Sequence, residues 1–235
     1  MARQLTFGSL FAGIGGFDLG FERAGMKCVF QVEIDPFCRK VLAKHWPDVR
    51  RWDDVRTFPP EPTEDWTCDV ICGGFPCQDI SNAGKQAGID GERSGLWSEI
   101  VRTVRALRPR FVVVENVAAL LDNGMGRVLG DLAEVGYDAE WTCLSASDLG
   151  AAQPRARVWV VAYGAGEHGF SNGAIFRRQK PTRMGTWWES EPGVVRVVDG
   201  FPGRVDRLRG LGNAVVPQVA QWIGRRIVEA VDPTP

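Results

Sequence analysis

The chain has 235 residues, with 28 Lys and Arg against 29 Asp and Glu, a formal charge of −1. At 44% hydrophobic and 24% charged, with 12 Phe and 9 Trp, it has the make-up of a globular protein and excludes a disordered chain, a collagen-like fibre and a small disulfide scaffold. A chain of this length buries roughly 70% of its unfolded surface, so its core needs no staple.

Six cysteines (Cys28, Cys38, Cys68, Cys72, Cys77, Cys143) are scattered without a Cys-x-x-Cys pair, so no metal site is predicted. The longest uncharged runs, Gln4–Phe17 and Gly210–Gly224, fall short of the roughly 18 apolar residues of a membrane span. The first residues also lack the order of a signal peptide. The expectation is a cytoplasmic protein with reduced thiols and no membrane partner. Charge is unevenly spread. Residues 1–149 hold 16 Lys/Arg and 22 Asp/Glu, whereas residues 150–235 hold 12 and 7. A basic C-terminal third on an acidic chain suggests a polyanionic partner, with chance clustering on solvated faces as the alternative.

In chain order, Leu5–Leu10 is a predicted strand and Gly16–Ala24 a helix. Strand Cys28–Glu33 and helix Pro36–His45 follow, then strand Asp69–Cys72, helix Leu96–Leu107, strand Phe111–Glu115, helix Met125–Val135 and strand Val158–Ala162. The strands are continuously apolar, as in a parallel sheet covered on both faces. Strand and helix in alternation predict a doubly wound α/β domain with a mostly parallel sheet. From Tyr163 to about Pro202 the pattern dissolves into glycines, basic residues and aromatics, among them Trp187 and Trp188. That stretch is too long for an ordinary loop and reads as a small functional subdomain or a partly disordered segment. Apolar spacing returns at Val215–Val228, a closing helix.

Five places in the chain carry chemistry. Phe11-Ala12-Gly13-Ile14-Gly15-Gly16 joins the first strand to the first helix, where glycines let backbone approach a ligand. Glu33 ends the second strand, where an acid can accept hydrogen bonds from ribose hydroxyls. Together they suggest a nucleoside cofactor; a structural turn plus a surface acid is the alternative. Gly73-Gly74-Phe75-Pro76-Cys77-Gln78 sets Cys77 at the carboxyl end of a strand, where ligands of open α/β sheets bind. That position singles out Cys77 as a nucleophile among six thiols. Glu115 follows four apolar residues, so burial should raise its pKa towards a proton donor's range, although a capping acid fits the residue equally. Arg155 and Arg157 are two apart, on one side of an extended segment, and could meet a carboxylate, a phosphate or a base edge.

Together these segments resemble the cytosine carbon-5 DNA methyltransferases of bacterial and phage type. Phe11–Gly16 is similar to the family's first cofactor motif and Gly74–Gln78 to its catalytic loop. Glu115-Asn116-Val117 resembles the acid motif, Gln153–Arg157 the arginine motif, and Gly212-Asn213-Ala214-Val215-Val216-Pro217 the closing motif. Gly91–Gly95 resembles the segment between loop and acid. The resemblance implies a Rossmann-like methyltransferase fold. It also implies S-adenosyl-L-methionine as cofactor, bound by Phe11, Gly13, Gly15, Gly16, Glu33, Asp54, Val55, Pro76 and Asn213. Cys77 would attack carbon-6 of a cytosine flipped out of duplex DNA, with Glu115 at ring nitrogen-3. Arg157 would hold the base carbonyl, and Arg155 would orient Glu115 or a phosphate. Gln78 and Ser81 would touch DNA, Gln78 filling the gap left in the duplex. The segment Gln78–Arg93 would close over the base.

The implied organisation is a catalytic and cofactor-binding domain over 1–162, a short target-recognition region over 163–203 and a C-terminal segment, 204–235, packing back on the catalytic domain. Arg177, Arg178, Lys180 and Arg183 are the DNA-binding candidates of the short region. One branch of the family methylates transfer RNA, and a non-catalytic DNA-binding remnant is a further reading. Phe75–Ser81 followed by Gly84-Lys85-Gln86 resembles the DNA enzymes more, and the intact Cys77, Glu115, Arg155 and Arg157 oppose decay. A companion restriction nuclease, or none, fits the resemblance equally.

Overall fold

Each short apolar run forms one strand of a single sheet. The computed structural model describes residues 3–76, 96–151, 154–164, 175–176 and 204–232. Its strands are β1 (Thr6–Leu10), β2 (Lys27–Val32), β3 (Arg50–Trp52), β4 (Val70–Gly73), β5 (Phe111–Val117), β6 (Tyr137–Ser145) and β7 (Ala156–Gly164). They form one sheet in the order β3-β2-β1-β4-β5-β7-β6. From β3 through β5 neighbours are parallel, while β7 runs antiparallel to both β5 and β6.

The helices are α1 (Gly16–Arg23), α2 (Pro36–His45), α3 (Trp97–Leu107), α4 (Leu120–Asn123), α5 (Met125–Glu134), α6 (Arg204–Asn213) and α7 (Pro217–Val231). Apolar residues alternate along the strands and so feed two cores. Leu10, Ile71, Val112, Val114 and Val160 pack with Ile100 and Val104 of α3 and Val128 and Leu132 of α5. Phe7, Cys28, Val70, Val113, Trp159 and Val161 pack on the opposite face with Phe17 and Phe21 of α1 and Val219, Ile223 and Ile227 of α7. Burying each such large side chain contributes about 1.5–3 kcal/mol. Gly20 admits α7, since a β-carbon there would stand 2.5 Å from the β-carbon of Ala220.

The doubly wound α/β expectation is met, and one detail is corrected. The continuous apolar run at Val158–Ala162 is antiparallel, because burial on both faces produces such a run whichever way the strand points. Among the described residues, no helix is long and apolar enough to cross a membrane.

Candidate active site

The cleft lies along the carboxyl rim of β1, β2, β4 and β5. Chain leaving β1 passes through Phe11 with a left-handed φ of 52°, and through Gly13 and Gly15 with φ of 57° and 88°. Only glycine adopts such angles without strain, so the Phe11 conformation is imposed by its surroundings. The turn is held from beneath by Glu33. Its Oε2 accepts from the Gly13 N–H at 2.7 Å and its Oε1 from the Asp35 N–H at 2.8 Å. Burial pushes the Glu33 carboxyl above its ordinary range, against those backbone donors. Asp35 in turn caps α2 by accepting from the Phe37 and Cys38 N–H groups. Phe11, Gly13, Glu33, Ile34 and Asp35 form this side of the cleft.

Glu115, near the end of β5, forms the other side with Gly74, Phe75 and Pro76. Its side chain is 11% exposed, and Arg157 Nε donates to Oε1 at 3.0 Å. Burial dominates and raises the carboxyl to about 7, although Arg157 and Arg155 both pull it down. Antiparallel pairing sets this contact: Arg157 stands opposite Val117 and Trp159 opposite Glu115, so Arg157 is the diagonal neighbour of the acid. Gly74 leaves room beside Oε2, since a β-carbon there would come within 3.0 Å of it. Asn116 ties the two strand ends together: its Nδ2 donates to the Phe75 carbonyl at 3.2 Å.

The far wall comes from α6 and the turn after it, through Asp206, Gly210, Gly212, Asn213 and Ala214. Nη2 of Arg155 donates to the Gly212 and Ala214 carbonyls at 2.8 and 3.0 Å. Thus the guanidinium on Glu115 is that of Arg157, whereas Arg155, which precedes the first residue of β7, reaches away to this wall.

The pattern of the C-5 cytosine-specific DNA methylases matches residues 5–189. The chain belongs to that family. It is similar to the type II methyltransferase M2.BsuMI of Bacillus subtilis, 36% identical over 162 residues, which are 66% of this chain and 41% of that protein. M.HgiCII of Herpetosiphon aurantiacus is 37% identical over 166 residues, 68% of this chain and 37% of that protein. The chain therefore spans about two fifths of the length of these curated relatives. Among solved structures, the Entamoeba histolytica methyltransferase EhMeth superposes with a TM-score of 0.61 at 18% identity, over 77% of this chain and 58% of that one; at that identity the likeness shows the fold alone.

In this C-5 methylase chain, the fold brings Phe11, Gly13, Glu33, Pro76, Glu115, Arg155, Arg157 and Asn213 to one cleft. Gly15 and Gly16 shape the turn behind it. Asp54 and Val55 are not among its described lining: the Asp54 carboxylate caps a short helical turn and is held by the Arg56 guanidinium, while Val55 is buried in the core. Cys77, Gln78, Ser81, Gln153, Arg177, Arg178, Lys180 and Arg183, with the segments Gln78–Arg93 and Gly91–Gly95, lie outside the described residues. Asn116 and Asp206 are among the contributors that escaped the sequence reading, as are Ile34, Asp35 and Gly210. Asn116 was visible in the acid motif but without a partner, and Asp206 sits on α6, whose weak apolar pattern gave no helix signal. Among the described residues no group of three His, Cys, Asp or Glu could hold a metal ion.

Proposed function

We propose that the chain is a DNA (cytosine-5-)-methyltransferase that moves a methyl group from S-adenosyl-L-methionine to carbon-5 of a cytosine flipped out of duplex DNA. The observation that carries the reading is Glu115: a buried carboxyl raised to about 7, braced by Arg157 and open beside Gly74. It faces the same cleft as the glycine turn and Glu33. The type II relatives support duplex DNA over RNA, and a restriction–modification setting. The same reading divides the chain into the catalytic domain over 1–162, the recognition region over 163–203 and the returning segment over 204–235.

The residues of the cleft fit the donor. A carboxylate offers about four acceptor sites, so Glu33, which accepts from the Gly13 and Asp35 N–H groups, has capacity left for a ribose hydroxyl. Phe11 offers an aromatic face, and Asn213 an amide, on the same lining. When bound, the donor would supply an electrophilic methyl group, its sulfonium–methyl bond breaking to leave S-adenosylhomocysteine.

Cytosine carbon-5 is too poor a nucleophile to take that group unaided. The Cys77 thiolate bonds to carbon-6, and the carbon-5–carbon-6 π pair becomes available at carbon-5. Glu115 holds its proton at ring nitrogen-3, so charge developing on the ring meets a donor rather than a carboxylate. Arg157 fixes the acid through Oε1. Once carbon-5 is methylated, its proton leaves to solvent, the double bond re-forms, and the carbon-6–sulfur bond breaks to return the thiolate.

Tritiated methyl transfer to duplex DNA and to transfer RNA, followed by nucleoside analysis, tests the proposal. Label in 5-methylcytosine from DNA is expected. Label in RNA alone, or in another nucleoside, overturns it.

A further inference from the structure

The wall formed by the turn between α6 and α7 comes from far along the chain, yet it completes the cleft. On one side the turn rests on the glycine turn after β1. Gly16 lies so close to Val215 that a β-carbon would collide with the Val215 carbonyl, and a β-carbon on Gly210 would meet Ile14 at 3.2 Å. On the other side its described support is Arg155, whose single Nη2 carries both hydrogen bonds to Gly212 and Ala214.

The helices flanking the turn differ in how they are held. The long α7 is fixed by Val219, Ala220, Ile223 and Ile227, all buried. On α6, Val205 is 74% and Leu211 58% exposed, so these side chains do not anchor the helix to the core. The last carbonyls of a helix have no intrahelical partner, and a cation at that end is favourable. A guanidinium on the Gly212 carbonyl meets both needs.

We propose that Arg155 is a positioning residue for the donor: a latch that holds the Gly212–Ala214 turn, and with it Asn213, against the cleft. This inference rests on the reading of the cleft as the donor site. The two arginines of one strand entry thereby divide the work. Arg157 sets the acid on the substrate side, and Arg155 closes the cofactor side.

Amide hydrogen exchange of the ligand-free protein and calorimetry with S-adenosylhomocysteine test it together. In Arg155→Ala, peptides spanning 204–216 should exchange faster while those of β1 and β5 stay unchanged. The affinity for S-adenosylhomocysteine should fall about 10- to 100-fold, the range for losing two charge-assisted hydrogen bonds in a half-buried setting. Arg155→Lys should recover part of that loss, and it carries the comparison if the Ala variant does not fold. Arg157→Ala should keep the affinity within about threefold, which separates the latch from general damage to the strand entry. Unchanged exchange, or faster exchange with unchanged affinity, overturns the proposal. If the unaltered protein does not bind S-adenosylhomocysteine, the donor-site reading fails instead, and the exchange comparison still decides whether Arg155 holds the turn.

Discussion

A carboxyl that keeps its proton near neutrality needs burial to outweigh its cationic neighbours, and at Glu115 it does so against two arginines. If the proton it holds is the one used, kcat should fall as pH rises through about 7, because the ionised acid has nothing to donate. Glu115→Gln should be slower by about 10²–10⁴-fold, the usual worth of a general acid–base step, and should lose that alkaline limb. A loss below about tenfold in single-turnover rates would move the proton elsewhere. Cys77→Ala should abolish transfer while leaving the melting temperature and donor affinity nearly intact. DNA carrying 5-fluorocytosine should trap the unaltered protein covalently, since fluorine blocks the final elimination; trapping by the Ala variant would refute the assignment of the nucleophile.

Between elements, the connection with the clearest pH signature is α1 on the strands beneath it. Asp18 is fully buried on α1, where its carboxylate accepts from Ser9 Oγ of β1 at 3.2 Å and from Gln31 Nε2 of β2 at 2.8 Å. Burial raises it from 3.8 to about 6. The folded state thus binds this proton more tightly than the unfolded chain. The group's stabilising contribution is complete below about pH 4 and is lost as pH rises through 6, by about 3 kcal/mol in all. Asp18→Asn should remove this dependence, so the stability of the variant relative to the unaltered protein should rise between pH 4 and pH 8 in urea titrations. A constant difference would contradict the raised carboxyl.

The elements also mark what could be read in the residues beforehand. Val, Ile and Phe runs announced the five central strands, and the glycine turn, Glu33 and Glu115 fell at strand ends that the fold gathers into one cleft. Edge strands were silent. The three residues Arg50, Arg51 and Trp52 of β3 carry no apolar run, and Asp138, Glu140 and Thr142 give β6 a surface-like look at the end of the sheet, where among the described residues one edge of the strand has no neighbour. The partner of each arginine was also out of reach, since it depends on the direction of β7, which an all-apolar strand does not encode.

Across the whole molecule, the region after β7 is not attached only at its ends. Glu140 of β6 accepts from the Ile175 and Phe176 N–H groups, each at 3.1 Å. Ile175 is fully buried, Phe176 stacks on Trp222 of α7 with ring centres 6.3 Å apart, and Arg226 Nε donates to the Ile175 carbonyl. Glu140→Ala should therefore weaken DNA binding while calorimetric donor affinity is unchanged; a matching loss of both would mean that the anchor supports the catalytic domain itself. Replacing Arg177, Arg178, Lys180 and Arg183 together by Ala should lower DNA affinity and flatten its salt dependence, by about 0.9 in the log–log slope for each phosphate contact removed. An unchanged slope would remove these residues from the DNA interface.

The reversal of β7 bears on how the stretch after it can vary. The strand starts beside Glu115 and ends at Gly164, across from Tyr137 and the beginning of β5, roughly 30 Å away for nine extended residues. Beyond Ile175 and Phe176, the next described element is α6, which leads directly back to the cleft. The last residue described before the stretch 165–203 and the helix described after it thus stand at opposite rims of the sheet. Doubling the length of such an excursion costs only about 0.6 kcal/mol in closure entropy. On the proposed reading of this stretch as the recognition region, exchanging it for one of another length is expected to change the DNA sequence read and to leave calorimetric donor affinity unchanged.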